Sequence, residues 1–148
     1  MPSTFTSLFY HIVFGTKNRE PFLLPRILEP THAYLGGCLR AARADPVEIG
    51  GIADHIHILA RLKATHCVAD VVRDIKKASS IWIGDEMRQR GFHWQDGYAA
   101  FTVARRQLNV VQHYVANQKE HHRVKSFTEE YREFLDEHGI EFDERYLL

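Results

Sequence analysis

His55 and His57 flank one apolar residue in the run Asp54-His55-Ile56-His57-Ile58-Leu59-Ala60-Arg61-Leu62. Ile56, Ile58, Ala60 and Leu62 alternate there with His55, His57, Leu59 and Arg61, and alternate residues of a β-strand point to opposite faces. One face is then wholly apolar, and the other carries both imidazoles. Two such rings can converge on one divalent ion, for which imidazole is a good ligand, but a third group must come from elsewhere. The same pattern also describes two solvated strand histidines with no metal.

Tyr114 and Gln118 stand four residues apart, a spacing that places both on one helix face. Tyr114 adjoins Val115, a core position, and so borders the buried stripe. A phenol of pKa about 10 is a poor nucleophile unless something activates it. A metal polarising the electrophile would compensate, and the Gln118 oxygen could complete its coordination; without one, the pair is a packed tyrosine and a surface glutamine. His122 lies one turn past Gln118 and could join a metal shell, and His11 could face the same surface. Both also suit packed or hydrogen-bonded histidines. Arg73, Lys76, Lys77 and Ser80 form a stripe opposite Val71, Ile75 and Trp82. Such a stripe can track phosphates or simply be a solvated face. Lys17 and Arg19, and Arg105 and Arg106, add positive charge.

These residues need positioning elements. Ser7–Gly15 is aromatic and β-branched and predicts a first strand. Tyr34, Leu35, Cys38, Leu39 and Ala42 predict a helix starting near Pro30, since proline is tolerated in a first turn. Asp45-Pro46 reads as a turn, 47–53 as a second strand and 54–62 as a third. Val68, Val71, Val72, Ile75, Ser79 and Trp82 set an amphipathic helix over 68–84. Tyr98–Val103 is a fourth strand; Leu108, Val111 and Val115 start a helix running to about Val124. Phe127, Tyr131, Phe134 and Leu135 mark a last helix over 127–137, ended by Gly139. The order β-α-β-β-α-β followed by helices predicts an α+β, ferredoxin-like antiparallel sheet. Such a sheet normally has helices on one face and leaves the other available.

Composition narrows the classes. The 148 residues are 45% hydrophobic and 26% charged, as in one soluble globular domain. No apolar run approaches the ~18 residues that span a bilayer, and Met1-Pro2-Ser3-Thr4 lacks the basic start of a secretory leader. Cys38 and Cys67 suit a reducing cytoplasm and cannot by themselves make a cysteine zinc site. No Walker loop, GxGxxG or GxSxG motif occurs. The zero net charge argues against a nucleic-acid partner until it is divided. Residues 1–125 carry 17 Lys and Arg against 11 Asp and Glu, a net of +6; residues 126–148 carry 2 against 8, a net of −6.

Taken together, the chain resembles the HUH single-tyrosine transposases of small insertion sequences. The carrying residues are His55-Ile56-His57, preceded by Gly51-Ile52-Ala53-Asp54, with Tyr114 and Gln118. Tyr10-His11-Ile12-Val13-Phe14, Thr16-Lys17, the stretch from Lys76 to Ser80 and Trp94-Gln95-Asp96-Gly97-Tyr98 support them. The ending, through His121-His122 and His138-Gly139-Ile140 to Tyr146-Leu147, is most similar to the REP-associated tyrosine transposases. Ala99 stands where that strand normally has glycine, and Ala104-Arg105-Arg106 replaces a serine-rich helix entry. With the charge division, the chain reads as a catalytic domain over 1–125 and an acidic helical extension over 126–148 packed on the same domain. The resemblance implies that His55, His57 and Gln118 bind Mg2+ or Mn2+, and that Tyr114 attacks single-stranded DNA near hairpins or palindromic repeats. It also implies a cytoplasmic homodimer, its site shared between subunits in some members. In this setting Lys17, Arg19, Arg73, Lys76, Lys77, Ser80, Arg105 and Arg106 become DNA contacts, and His11 and His122 groups behind the metal ligands.

Two alternatives use the same surface: a non-catalytic nucleic-acid-binding regulator derived from a transposase, and a metal-dependent phosphodiesterase that uses water. The charge division carries a prediction of its own. An acidic segment docked on a basic domain restrains non-specific DNA binding. Removing 126–148 is expected to raise affinity for random-sequence DNA at low salt, read by fluorescence anisotropy. Unchanged or weaker binding by folded protein would reject that role.

Overall fold

The computed structural model describes residues 3–147, so the leader reading at Met1 and Pro2 lies partly outside the described residues. The elements are β1 (Phe9–Gly15), α1 (Pro25–Ala41), β2 (Asp45–Ile52), β3 (His55–Arg61), α2 (Val68–Asp85), β4 (Ala99–Val103), α3 (Leu108–Ala116), α4 (Gln118–His121) and α5 (Phe127–Glu137). The strands form one antiparallel sheet in the order β2-β3-β1-β4, the ferredoxin-like arrangement. Among the described residues no helix is long and apolar enough to cross a membrane.

The strand alternation dictates a two-sided sheet. Ile12, Phe14, Ile56, Ile58 and Ala60 point to one face and meet Leu35, Leu39, Val72, Ile75 and Ile83 of α1 and α2. Trp94 closes this layer, donating its indole N–H to Ser79 Oγ at 2.9 Å and meeting the edge of Phe14. Val13, Ala99 and Phe101 point the other way.

Three features differ from the sequence expectation. First, α1 begins at Pro25 and keeps Pro30 inside it. Ile27 is fully buried, and its anchoring in the core outweighs the hydrogen bond that Pro30 cannot make. Second, the helix expected from Leu108 to about Val124 breaks at Asn117. Asn117 leaves helical geometry at φ −106° and ψ 30°, and the His113 carbonyl accepts from both its side-chain amide at 2.7 Å and its backbone N–H at 3.1 Å. Third, the second sheet face is not open. Phe127, Tyr131 and Leu135 of α5 pack on Val13, Ala99 and Phe101, and Ser126 caps the helix by accepting from Glu129 N–H.

Two glycines let these layers close. Gly51 has φ +146°, a conformation other residues rarely adopt, at the β2–β3 hairpin that delivers His55. Gly50 is where α3 crosses β2, and a β-carbon there would overlap the Val115 carbonyl oxygen. Gly50→Ala is therefore expected to lift the Tyr114 helix off the sheet and cost about 1–3 kcal/mol of stability, as overpacking does. Urea denaturation measures it; an unchanged midpoint would refute the close approach.

Candidate active site

His55 and His57 are fully buried on the sheet face covered by the C-terminal helices. Each has an outer nitrogen already engaged. His55 Nδ1–H donates to the Asp54 carboxylate at 2.8 Å, and Arg19 pairs with the same carboxylate at 3.3 Å. Burial alone would raise the Asp54 pKa, but the His55 and Arg19 contacts outweigh it and hold it below the ordinary carboxylate value. His57 Nδ1 lies 2.8 Å from His11 Nε2, the two rings stacked. His122 Nδ1–H donates to the Lys125 carbonyl at 2.9 Å. In all three rings Nε2 is left facing inward.

What faces those nitrogens is more lone pairs. The Gln118 amide N–H donates to the Tyr114 carbonyl at 3.0 Å, which turns Oε1 inward, 2.9 Å from His122 Nε2 and 3.4 Å from His55 Nε2. Glu130, from α5, places Oε1 3.2 Å from His57 Nε2, and Oε2 2.7 Å from His121 Nε2 and 3.5 Å from His122 Nε2. These are ion-pair distances without donor-to-acceptor alignment. His57 Nε2, His121 Nε2, both Glu130 oxygens and the Tyr114 hydroxyl are buried with no aligned hydrogen-bond partner among the described residues. Burial first, and the neighbouring imidazoles second, hold His57 and His11 well below the ordinary imidazole value; His122 is lowered for the same reasons. His55, His57, His122 and Glu130 each bring a ligand atom to within 4.8 Å of the others. A buried cluster of converging imidazole nitrogens and carboxylate oxygens, with no lysine or arginine paired to it among the described ion pairs, fits a divalent cation.

Tyr114 borders this pocket. Its ring sits 5.6 Å from that of His57, 5.0 Å from His121 and 5.5 Å from Phe134. Burial and the Glu130 carboxylate push its pKa well above the usual phenol value. A cleft of about 290 Å3 reaches it, lined by Val110, Glu130, Glu133 and Glu137 among others. The approach is acidic.

Arg19 reaches this group through Asp54, but the other sequence-selected basic residues do not join it. Arg73 is paired with Asp70 at 3.2 Å and Asp74 at 3.1 Å. Lys76 Nζ donates to the carbonyls of Gln95 at 2.7 Å and Gly97 at 2.8 Å, and burial brings its pKa down to about 8. With Lys77 and Ser80 they line a cleft of about 340 Å3 beside Trp94 and Tyr98, on the α2 side of the sheet. Arg19 lies 4.3 Å above the Phe127 ring, and Arg105 lies 5.9 Å above Phe9. Lys17 and Arg106 are exposed.

Glu130, Asp54 and His121 were not picked out as metal-site residues from sequence. Glu130 carried a signal: it occupies the i+3 position of a stripe otherwise made of Phe127, Tyr131, Phe134 and Leu135. A carboxylate in an apolar stripe demands a buried partner.

The family model described as "Transposase IS200 like" matches residues 4–118. Among solved structures, a protein of Deinococcus radiodurans R1 described as a candidate transposase is 21% identical, with a TM-score of 0.63 over 80% of this chain and 96% of its own. A REP-associated tyrosine transposase bound to a REP hairpin is 14% identical, with a TM-score of 0.57 over 78% of this chain and 70% of its own. At these identities the likeness is one of fold. The comparison with curated proteins returns no match.

The buried imidazoles set a pH dependence. His57, His11 and His122 are held below the unfolded value of about 6.5, so below that pH the unfolded chain binds more protons than the folded one. Stability of the metal-free protein is expected to fall as pH drops below about 6.5 toward the folded values. Urea midpoints at pH 7.5 and 5.5 test this; equal midpoints would contradict neutral buried rings.

Proposed function

The chain belongs to the IS200-like transposase family, and from that premise we propose that it cleaves and rejoins single-stranded DNA near hairpins or palindromic repeats, with Tyr114 as nucleophile. The observation that carries the proposal is the Tyr114 hydroxyl, buried beside His57 with no aligned hydrogen-bond partner among the described residues, with Gln118 four residues on facing the same histidines. A divalent ion, Mg2+ or Mn2+, held by His55, His57 and Gln118 would polarise the phosphoryl oxygens and template in-line attack.

Tyr114 Oη bonds to phosphorus while the bond from phosphorus to the 3′ oxygen breaks. The phenol proton is lost and the departing oxygen ends as a free 3′-OH. The 5′-phosphotyrosine link conserves the phosphodiester bond energy, so rejoining needs no ATP. His11 and Asp54 hold the rings of His57 and His55 in the orientation this chemistry requires.

Residues 1–125 would be the catalytic domain and 126–148 an extension packed on it, in a cytoplasmic homodimer. Because Tyr114 lies beside His57 of its own chain, the site is read as completed within one subunit, each dimer holding two. Lys17, Lys77, Ser80 and Arg106 are the DNA contacts least committed to internal partners; Arg19, Arg73, Lys76 and Arg105 would serve while also holding local structure.

A labelled hairpin-bearing single strand with Mn2+ is expected to yield a covalent protein–DNA adduct on a denaturing gel. Tyr114→Phe should remove the adduct entirely while leaving the circular dichroism unchanged. Cleavage with released product in that variant would indicate a water-using phosphodiesterase. Binding without cleavage, and without dependence on His55 and His57, would indicate a regulator.

A further inference from the structure

We propose that Glu130, from the acidic C-terminal helix, is a protein ligand of the metal centre, so that the ion cross-links α5 to the sheet through His55, His57, His122 and Glu130. This rests on the metal-binding part of the function above and is independent of strand transfer.

Glu130 is 3% exposed and sits among Phe127, Tyr131, Phe134 and Leu135. No lysine or arginine contact to it occurs among the described ion pairs; its neighbours are His57, His121, His122 and the Tyr114 phenol. A buried carboxylate is tolerated when it is paired or coordinates a metal. Its two oxygens lie 3.2 Å from His57 Nε2 and 3.5 Å from His122 Nε2, separations typical of two ligands on one ion. Bonds of about 2.0–2.2 Å put two donors at most ~4.4 Å apart, so a cluster spanning 4.8 Å needs only a small inward adjustment.

The outer contacts point the same way. Asp54 holds Nδ1 of His55, His11 that of His57, and the Lys125 carbonyl that of His122. Metal-bound histidines almost always have their second nitrogen held in this manner. Of Mg2+ and Mn2+, three imidazoles and one carboxylate favour Mn2+, a first-row transition ion, because Mg2+ prefers an oxygen shell that keeps several waters. An ion bound in this way stabilises the docked position of α5 by mass action, because Glu130 joins the other ligands only when α5 is docked.

The full-length, metal-stripped protein is titrated with Co2+ and followed by visible absorption. Amide hydrogen exchange across 126–138 is measured with and without the ion. Wild type is expected to bind Co2+, show its ligand-field bands and slow exchange across that segment. Glu130→Gln, nearly the same shape, should weaken binding about tenfold or more, change the bands and abolish the slowing. Asp136→Asn, exposed on the same helix, should do none of these. Unchanged Co2+ affinity in Glu130→Gln, or exchange indifferent to the ion in wild type, overturns the proposal and leaves a metal site of sheet and Tyr-helix residues standing. No Co2+ binding by wild type overturns the metal centre as a whole.

Discussion

A buried imidazole must find partners for both ring nitrogens, and β3 buries two of them side by side. Asp54, His11 and the Lys125 carbonyl hold the outer nitrogens of His55, His57 and His122, which leaves Nε2 of each aimed at one small space. Gln118 and Glu130 add oxygens to that space and no hydrogen. The cluster is thus coherent around a cation. Apart from it, five buried polar atoms in and beside the cluster stand without aligned partners among the described residues.

The rest of the fold serves that convergence. The apolar face of β3 is fixed by α1 and α2, so the opposite face has one orientation relative to the core. Gly50 lets α3 approach β2 closely enough to bring Tyr114 beside His57. The break at Asn117 redirects the chain, and α4 then presents Gln118 and His122 to the same point. A continuous helix to residue 124 would have carried the chain on along the α3 axis.

Charge is organised differently from what a division at residue 125 suggests. The acidic segment is not only a solvated counterweight. Its apolar stripe fills the second core, and one of its carboxylates enters the histidine cluster. The basic stripe on α2 is partly spent on internal bonds, with Arg73 on two aspartates and Lys76 on loop carbonyls. Positive charge counted along a chain overstates what is available to phosphates.

The strands, the ferredoxin-like order, the α2 stripe and the bounds of α5 were legible in the sequence because each rests on a local period or a local stop signal. The His55–His57 pair was legible for the same reason, since a two-residue spacing on a strand fixes a shared face. Tyr114 and Gln118 could be placed on one helix face but not against a partner. What local pattern cannot encode is which faces meet. Pro30 stays helical because Ile27 is buried in the core, the helix breaks where Asn117 leaves helical geometry, and the second sheet face is closed by a segment over 60 residues from His57. Glu130 shows the boundary most clearly. Its place in an apolar stripe demanded a buried partner, but only the packing of α5 on the sheet decided that the partner would be the histidine cluster.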